Sequence, residues 1–196
     1  MTRIYSAGAS VKGLIVDSTG SALVRATSQT RSQEAAVAGD SFNIGSGIIN
    51  LTTANESALI YYKHFEAQEL VIDSLIIGIE NNGTDVNNTA LVKVKSNATA
   101  GTIVSTATAA PIRYNRNFGE VSALDNSIIY AGAEGHTITD GTDWGYLYAN
   151  SGRNVIPLDI VLNRGNSFGV TLDLQANSLT DIDVYVLLVC HLKHGD

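Results

Sequence analysis

Apolar and polar residues alternate with a period of two along most of the chain after Asp40. The segment VTLDLQ, for example, places Val170, Leu172 and Leu174 on one side of an extended chain. Turn-forming runs such as ENNGTD and NRGNS separate the apolar segments. The pattern predicts ten strands, at residues 46–52, 58–65, 69–80, 90–96, 101–108, 126–132, 144–150, 154–162, 167–175 and 181–192.

Many short strands with regular turns and no strong helix predict an all-β fold. The expected architecture is an antiparallel β-sandwich, jelly-roll-like, over residues 41–196. The segment DIDVYVLLVCHL alternates at first and then becomes continuously apolar, which is typical of a strand buried on both faces. Cys190 lies within this segment, so we interpret it as a buried thiol.

The first 40 residues are polar, small and weakly patterned, and only ALVRATSQTRSQEAAV has the composition of a helix. We interpret residues 1–40 as an extended N-terminal arm that gains its order from a neighbouring subunit. The alternative is that they form the first strands of the sandwich. Residues 1–33 carry Arg3, Lys12, Arg25 and Arg31 against Asp17 alone, so these four side chains are the predicted contacts to a neighbouring subunit.

The chain as a whole is acidic, with a net charge of −7, and only 16% of its residues are charged. Because binding to nucleic acid depends on basic side chains that neutralise phosphates, we expect no nucleic-acid partner. No apolar stretch approaches the roughly 18 residues of a transmembrane helix, so no membrane partner is expected either. The first ten residues, MTRIYSAGAS, lack the apolar run of a secretory signal, which predicts assembly in the cytoplasm.

The segment IRYNRNFG combines two arginines with two asparagines and two aromatic residues. Asn115 and Asn117 favour local turns, and Gly119 permits one. Arg113 and Arg116 are suited to forked hydrogen bonds with carboxylates at a subunit contact. We therefore predict a structural corner with interface arginines rather than a basic and aromatic site for nucleic acid.

No motif predicts catalysis, and we expect neither enzymatic activity nor a cofactor. The chain has no nucleophile elbow, phosphate loop or dinucleotide fingerprint. The loop EGHTITDGTD has carboxylates but not the spacing of an EF-hand, so it is interpreted as a solvated acidic loop rather than a calcium site. In HLKH, the histidines are interpreted as a frayed polar end rather than metal ligands. WGYLY places Trp144, Tyr146 and Tyr148 on one face of a strand, as a candidate glycan-stacking platform or, alternatively, a core or interface face.

Several stretches resemble a family of tailed-bacteriophage virion structural proteins. The most characteristic are TAGTIVS with the following NRNFG, and RGNSFGV with the terminal DVYV, and the resemblance extends over residues 22–192. It implies a β-sandwich protein within the phage particle, without catalytic function.

Combined with the arm and the uneven charge, the resemblance leads to a specific hypothesis. The chain is expected to be a capsid decoration or cement protein that docks on the major capsid protein or other virion proteins. It would do so as a homo-oligomer, expected to be a homotrimer, on the capsid surface of the virion. The alternatives are a receptor- or glycan-binding module of a head or tail fibre, and a tail or neck adaptor.

Overall fold

The computed structural model describes residues 15–16, 22–23, 31–53, 55–82, 89–105, 112–117, 124–174 and 181–193. The chain divides into two compact units, Met1–Thr30 and Arg31–Asp196. In the first unit, β1 (Ile15–Val16) pairs antiparallel with β2 (Ala22–Leu23). The boundary predicted at residue 40 stays a prediction.

The second unit is a sandwich of two antiparallel five-stranded sheets, which confirms the predicted fold class. Its strands are β3 (Ser41–Leu51), β4 (Ser57–Lys63), β5 (Leu70–Asn81), β6 (Thr89–Ser96), β7 (Ile112–Asn115), β8 (Ile128–Ala131), β9 (Thr142–Asn150), β10 (Gly152–Leu162), β11 (Ser167–Asp173) and β12 (Ile182–Leu192). Sheet I has the order β10-β5-β12-β3-β7, and sheet II has the order β8-β4-β11-β6-β9.

The long strands pair in a nested fashion. β3 pairs with β12, β4 with β11, β5 with β10, and β6 with β9. Two further pairings, β12 with β5 and β11 with β6, join these pairs into the two sheets. The chain thus follows the course of one long hairpin that is rolled into two layers.

The main core lies between the sheets and takes one side of each strand. Phe42, Ile44, Val184, Val186 and Leu188 from sheet I are fully buried in it. They meet side chains of sheet II that include Tyr62, Phe168, Val170 and Leu172. Burial of each large apolar side chain contributes about 1.5–3 kcal/mol, so this double layer is the main source of stability.

A second, smaller core covers the other side of sheet II. Tyr61 points away from the main core and packs with Ala58, Ala98, Ile103 and Ile138. The last three belong to connecting segments, so the segments around residues 98–105 and 133–141 are held against the sheet. The Tyr61 hydroxyl donates a hydrogen bond of 2.9 Å to the Ala98 carbonyl and fixes one of these segments.

One strand prediction is wrong. Within residues 101–108 the structure has a short helix, α2 (Thr102–Ser105), and residues 106–108 lie outside the described part. The β-branched TIV sequence favours a strand, but Ile103 is buried in the second core, and this tertiary contact overrides the local preference.

The end of the predicted arm is also helical rather than extended. Helix α1 (Arg31–Ala38) is followed by Gly39, whose φ of 82° is readily adopted only by glycine. The Asp40 amide donates to the Ala35 carbonyl at 2.8 Å and closes the last turn. Ala35 is buried.

Candidate assembly surface

The outer side of sheet I has an apolar centre, although it faces away from the main core. Along β12, the alternate residues Val184, Val186 and Leu188 enter the core, so Tyr185, Leu187 and Val189 lie on the other side. The register places Ile48 beside Tyr185, and Ile76 between Leu187 and Val155. We call the surface formed by Ile48, Ile76, Val155, Tyr185, Leu187 and Val189 the outer face. Ile48 is 77% exposed and Val155 is 56% exposed, so much of this apolar area is open to solvent.

A bulge in β3 gives Ile48 its prominent position. The register shifts between Tyr185 and Leu187, where Ser46 and Gly47 stand opposite a single residue of β12. Gly47 has a φ of 75°, a conformation that side chains disfavour, and the Val186 amide donates to Ser46 Oγ at 2.9 Å. The local sequence GSGII therefore builds the bulge that presents Ile48.

A groove of about 340 Å³ lies beside Ile48. Gly78 and Tyr185 both line it, and the Tyr185 ring lies over this glycine. Arg153, Glu80 and Asp183 also line the groove. The groove is thus mainly apolar and also has charged residues of both signs.

The Asp183 carboxylate of the groove is held in place by a hydrogen bond. Asn50 Nδ2 donates to Asp181 Oδ1 at 2.8 Å and to Asp183 Oδ1 at 3.0 Å. The bond from Asn50 is the main reason why the pKa of Asp183 is lowered from its ordinary value, so this carboxylate is charged at neutral pH. Within the described part of the chain, Arg153 forms no salt bridge that would neutralise it.

A second groove of about 380 Å³ borders β7 and is lined by Asn43, Tyr114, Asn115 and Arg116. Asn43 lies on the outer side of sheet I, between Val189 and Tyr114. Its Oδ1 atom is buried and has no hydrogen-bond partner among the described residues. This is an energetic cost of about 1–3 kcal/mol that the isolated chain retains.

The edges of both sheets are poorly suited to pairing with another strand. Edge strand β10 contains Pro157 and a register shift between Pro157 and Ile160, and Asp159 has a φ of 50°. Edge strand β9 is interrupted at Trp144, because Asp143 and Gly145 pair with consecutive residues of β6. The other two edges, β7 and β8, are only four residues long. Such features prevent edge-to-edge association.

The predicted arm contacts cannot be placed in the structure. Arg3, Lys12 and Arg25 lie outside the described residues. Arg31 begins α1, but its side chain is also outside the described part. Their role as partner contacts stays a prediction.

The two corner arginines, in contrast, contact their own chain. Arg113 donates from Nη1 to the Leu124 carbonyl at 3.1 Å and lies 4.0 Å from Asp125. Arg116 donates from Nη1 to Ser41 Oγ at 3.1 Å, and its amide donates to the Ser41 carbonyl at 2.7 Å. A contact of either arginine with another subunit stays a prediction.

The asparagines of the same segment stabilise the end of helix α1. Asn115 Nδ2 donates to the Gly39 carbonyl at 2.6 Å, and Asn117 Nδ2 donates to the Val37 carbonyl at 3.3 Å. These bonds satisfy carbonyls that a helix leaves without partners at its end. The polar sequence IRYNRN is thus accounted for by the junction of α1, β3 and β7.

The aromatic residues Trp144, Tyr146 and Tyr148 are all exposed on edge strand β9. Tyr146 and Tyr148 share one side of the strand, whereas the bulge at Trp144 interrupts the alternation that was expected to align all three. Tyr146 donates from its hydroxyl to Asp143 at 2.6 Å, and Asp143 pairs with Lys95 at 2.9 Å. The glycan platform stays a prediction.

A second ion pair follows on the same side of sheet II. Lys93 contacts Glu56 at short range and Asp173 at 3.6 Å. Burial alone would lower the pKa of Lys93, but the bond to Glu56 and the two carboxylates outweigh it and raise this pKa. The exposed side of sheet II therefore carries two ion pairs beside the exposed Tyr146 and Tyr148.

The acidic loop EGHTITDGTD uses its carboxylates to hold backbone. Asp140 accepts hydrogen bonds from the Thr99 amide at 2.9 Å and the Ala100 amide at 2.8 Å. Glu134 accepts from the Thr52 and Thr53 amides at 2.5 and 2.6 Å. The described residues contain no group of three or more His, Cys, Asp or Glu that could hold a metal ion.

A buried polar network at the end of β4 was not predicted from the sequence. The Tyr62 hydroxyl lies 3.0 Å from both His64 Nδ1 and Ser127 Oγ, and His64 Nε2 donates to the Gln68 carbonyl at 2.6 Å. Glu66 accepts from the Asn126 and Ser127 amides, both at 3.0 Å. Burial is the main cause of the raised pKa of Tyr62. The network serves to anchor the turn that precedes β8.

His191 differs from the frayed polar end that was expected. It lies within β12, is buried, and contacts Asp73 through Nδ1 at 3.1 Å. His194 lies outside the described residues.

Comparisons with family models, with curated proteins and with solved structures find no match for this chain. Among the described helices, none is long and apolar enough to span a bilayer.

Proposed function

We propose that the chain is a non-enzymatic structural protein of a tailed-phage virion, a capsid decoration or cement protein that assembles in the host cytoplasm and docks on the head shell. The observation that carries this proposal is the outer face of sheet I, an apolar surface that a chain acting alone would be expected to bury. A protein that works within an assembly has a use for such a surface.

The strand connectivity supports the jelly-roll prediction. A jelly roll places eight strands in two sheets through two Greek keys. The nested pairs, β3 with β12 through β6 with β9, give four long strands to each sheet in this way. The short strands β7 and β8 extend the sheets at one side.

The positions of the polar side chains support a structural function. The buried His64 and the carboxylates of Glu66, Glu134 and Asp140 each hold a turn or loop through hydrogen bonds. These groups stabilise the loops that connect the sheets. The resemblance of the TAGTIVS, NRNFG and RGNSFGV segments to phage virion proteins is the reason for proposing a phage particle as the assembly.

In this proposal residues 1–40 grip the shell, and Arg3, Lys12, Arg25 and Arg31 contact acidic groups of the capsid. The test uses heads from a phage that encodes this sequence, prepared without the protein. Purified full-length chain is added, and bound protein is measured after sedimentation of the heads. We expect saturable binding of the full-length chain and loss of binding when residues 1–40 are deleted. Equal binding of the two forms would contradict a role for the arm.

A receptor- or glycan-binding module of a fibre is the second candidate, and the exposed aromatic residues of β9 favour it. If a sugar stacks on Tyr146 and Tyr148, the chain should bind to a glycan array, and the Tyr146→Ala variant should lose this binding. An array without binding, together with unchanged phage adsorption in the Trp144→Ala variant, would exclude this function. A tail or neck adaptor would differ by its position on the particle, which immunogold labelling of intact virions locates.

A further inference from the structure

We propose that the outer face of sheet I binds the same face of a second copy of this chain. The inference rests on the proposed function, because a particle component needs contacts between its copies, and it names the surface and the partner. A contact between identical faces closes as a two-fold dimer. The solution unit would then be a dimer in place of the expected trimer.

The size of the face fits a stable contact. Sheet I has five strands, and β3, β10 and β12 each have 11 residues. At about 4.8 Å between strands and 3.3 Å per residue, the sheet side measures roughly 24 by 36 Å. The whole side, which includes the outer face and the polar residues around it such as Ser74, Glu80 and Asp183, is on the order of 800 Å², the area that each partner contributes to a standard stable interface.

The shape of the outer face is suited to contact with the same face of a second copy. Ile48 protrudes from the bulge and lines the groove together with Tyr185 and Gly78. A face with both a protruding apolar side chain and an adjacent apolar recess can present each feature to the other copy. The protruding Ile48 would lose water contact on dimerisation, and this apolar burial is the main favourable contribution.

The charged residues that line the groove are also suited to self-association. Arg153 is positive, and Glu80 and Asp183 are negative. An isologous contact uses every group twice, so each Arg153 has acidic partners available on the other copy. A partner with a surface of a single charge would leave one sign unmatched.

Other surfaces of the sandwich are less suited to a second copy. The bulges at Pro157 and Trp144 and the short strands β7 and β8 block pairing at the edges. The exposed side of sheet II carries the Lys93 and Lys95 ion pairs, and the second core covers the rest of it near Tyr61. Tyr146 and Tyr148 are exposed there as well, but they lie beside these ion pairs, so the outer face is the apolar surface that we propose for the second copy.

The test measures the mass of the purified full-length chain by light scattering, without any phage particle. The chain concentration is varied from about 1 to 100 μM, because interfaces of this area have micromolar or tighter dissociation constants. We expect twice the chain mass of 20.7 kDa. The single variants Ile48→Lys and Val155→Lys should each weaken dimerisation by at least about thirtyfold, as expected for central contacts of an interface. Circular dichroism and the thermal midpoint should show that both remain folded, because both positions are exposed in the monomer.

The matched control is Tyr148→Lys, which introduces the same charge at a position 63% exposed on sheet II. It should leave the dimer intact. A monomer at all concentrations would overturn the proposal, and so would an oligomer of any size that Ile48→Lys and Val155→Lys leave unchanged. Because no capsid is present, a monomeric result would overturn the dimer while binding to heads could still succeed.

Discussion

The ring of Tyr185 lies so close over Gly78 that a Cβ atom built on this glycine would stand 1.9 Å from Tyr185 Cε1. The two residues are directly paired across β12 and β5. An aromatic ring that covers a cross-strand glycine shields the exposed backbone and fills the missing side-chain volume. Both residues line the groove in the outer face.

The Gly78→Ala variant should be less stable by about 1–3 kcal/mol, because the new methyl group must displace the Tyr185 ring. Urea unfolding of Gly78→Ala, Tyr185→Ala and the double variant measures the coupling between the two positions. We expect Gly78→Ala to cost much less when the ring is absent. Gly145→Ala is the control, since a Cβ at Gly145 meets nothing within 4 Å. Equal costs in both backgrounds would contradict the contact.

Removal of the buried Glu66 carboxylate should cost about 3 kcal/mol, because it leaves the Asn126 and Ser127 amides without an acceptor. The measurement is the free energy of unfolding of Glu66→Ala in urea. The control is Glu69→Ala, which breaks an exposed ion pair with Lys193 and should cost less than about 1 kcal/mol. Similar losses in the two variants would show that Glu66 does not anchor the turn.

Asp140 should contribute to stability in a pH-dependent manner. The hydrogen bond from Thr99 is the main cause that lowers its pKa below the ordinary value of 3.8. A lowered pKa in the folded state means that the stabilisation is complete above the ordinary value and is lost as the pH falls through the folded value. Asp140→Asn should therefore be less stable than the unmodified chain at neutral pH, and the two should converge in strong acid. Urea midpoints that differ by the same amount at all pH values would contradict this.

Cys190 should be unreactive in the folded protein. The thiol is fully buried in β12, and this burial raises its pKa well above the ordinary value. Labelling with a chromogenic disulfide reagent should proceed only in denaturant, at a rate that follows unfolding. Rapid labelling under native conditions would show that β12 is not protected by sheet I.

Asn43→Val should stabilise the protein or leave it unchanged, because it removes a buried oxygen that has no described hydrogen-bond donor. The comparison is Asn50→Val. The Asn50 amide donates to both Asp181 and Asp183, so its removal should destabilise the protein. Thermal unfolding of both variants gives the order of stability. If Asn43→Val were the more destabilising of the two, the unsatisfied oxygen would not be the controlling feature at this position.

The alternation of apolar residues was sufficient to predict the sandwich and most of its strands. The segment VTLDLQ, for instance, places Val170 and Leu172 in the main core as the alternation predicts, although Thr171 on the other side of β11 is buried as well. The segment TIVS could not be placed from sequence, because its helical form depends on the contact of Ile103 with the distant Tyr61 and Ile138. Short-range preference carries no information about such a contact.

The sequence contains a pattern that corresponds to the outer face. The continuous apolar run VYVLLV predicts a strand buried on both sides. In the structure one side lies in the core, while Tyr185 is exposed on the other side and Leu187 and Val189 are only partly buried. A strand within a protein interior and a strand within a subunit interface have the same composition, so the sequence could not separate them.

The most direct test of the virion proposal is quantitative mass spectrometry of purified particles from a phage that encodes this sequence. We expect the chain to be present in washed virions in many copies per particle, at a fixed ratio to the major capsid protein. A chain that is abundant in the lysate of infected cells but absent from the washed particles would contradict the virion proposal.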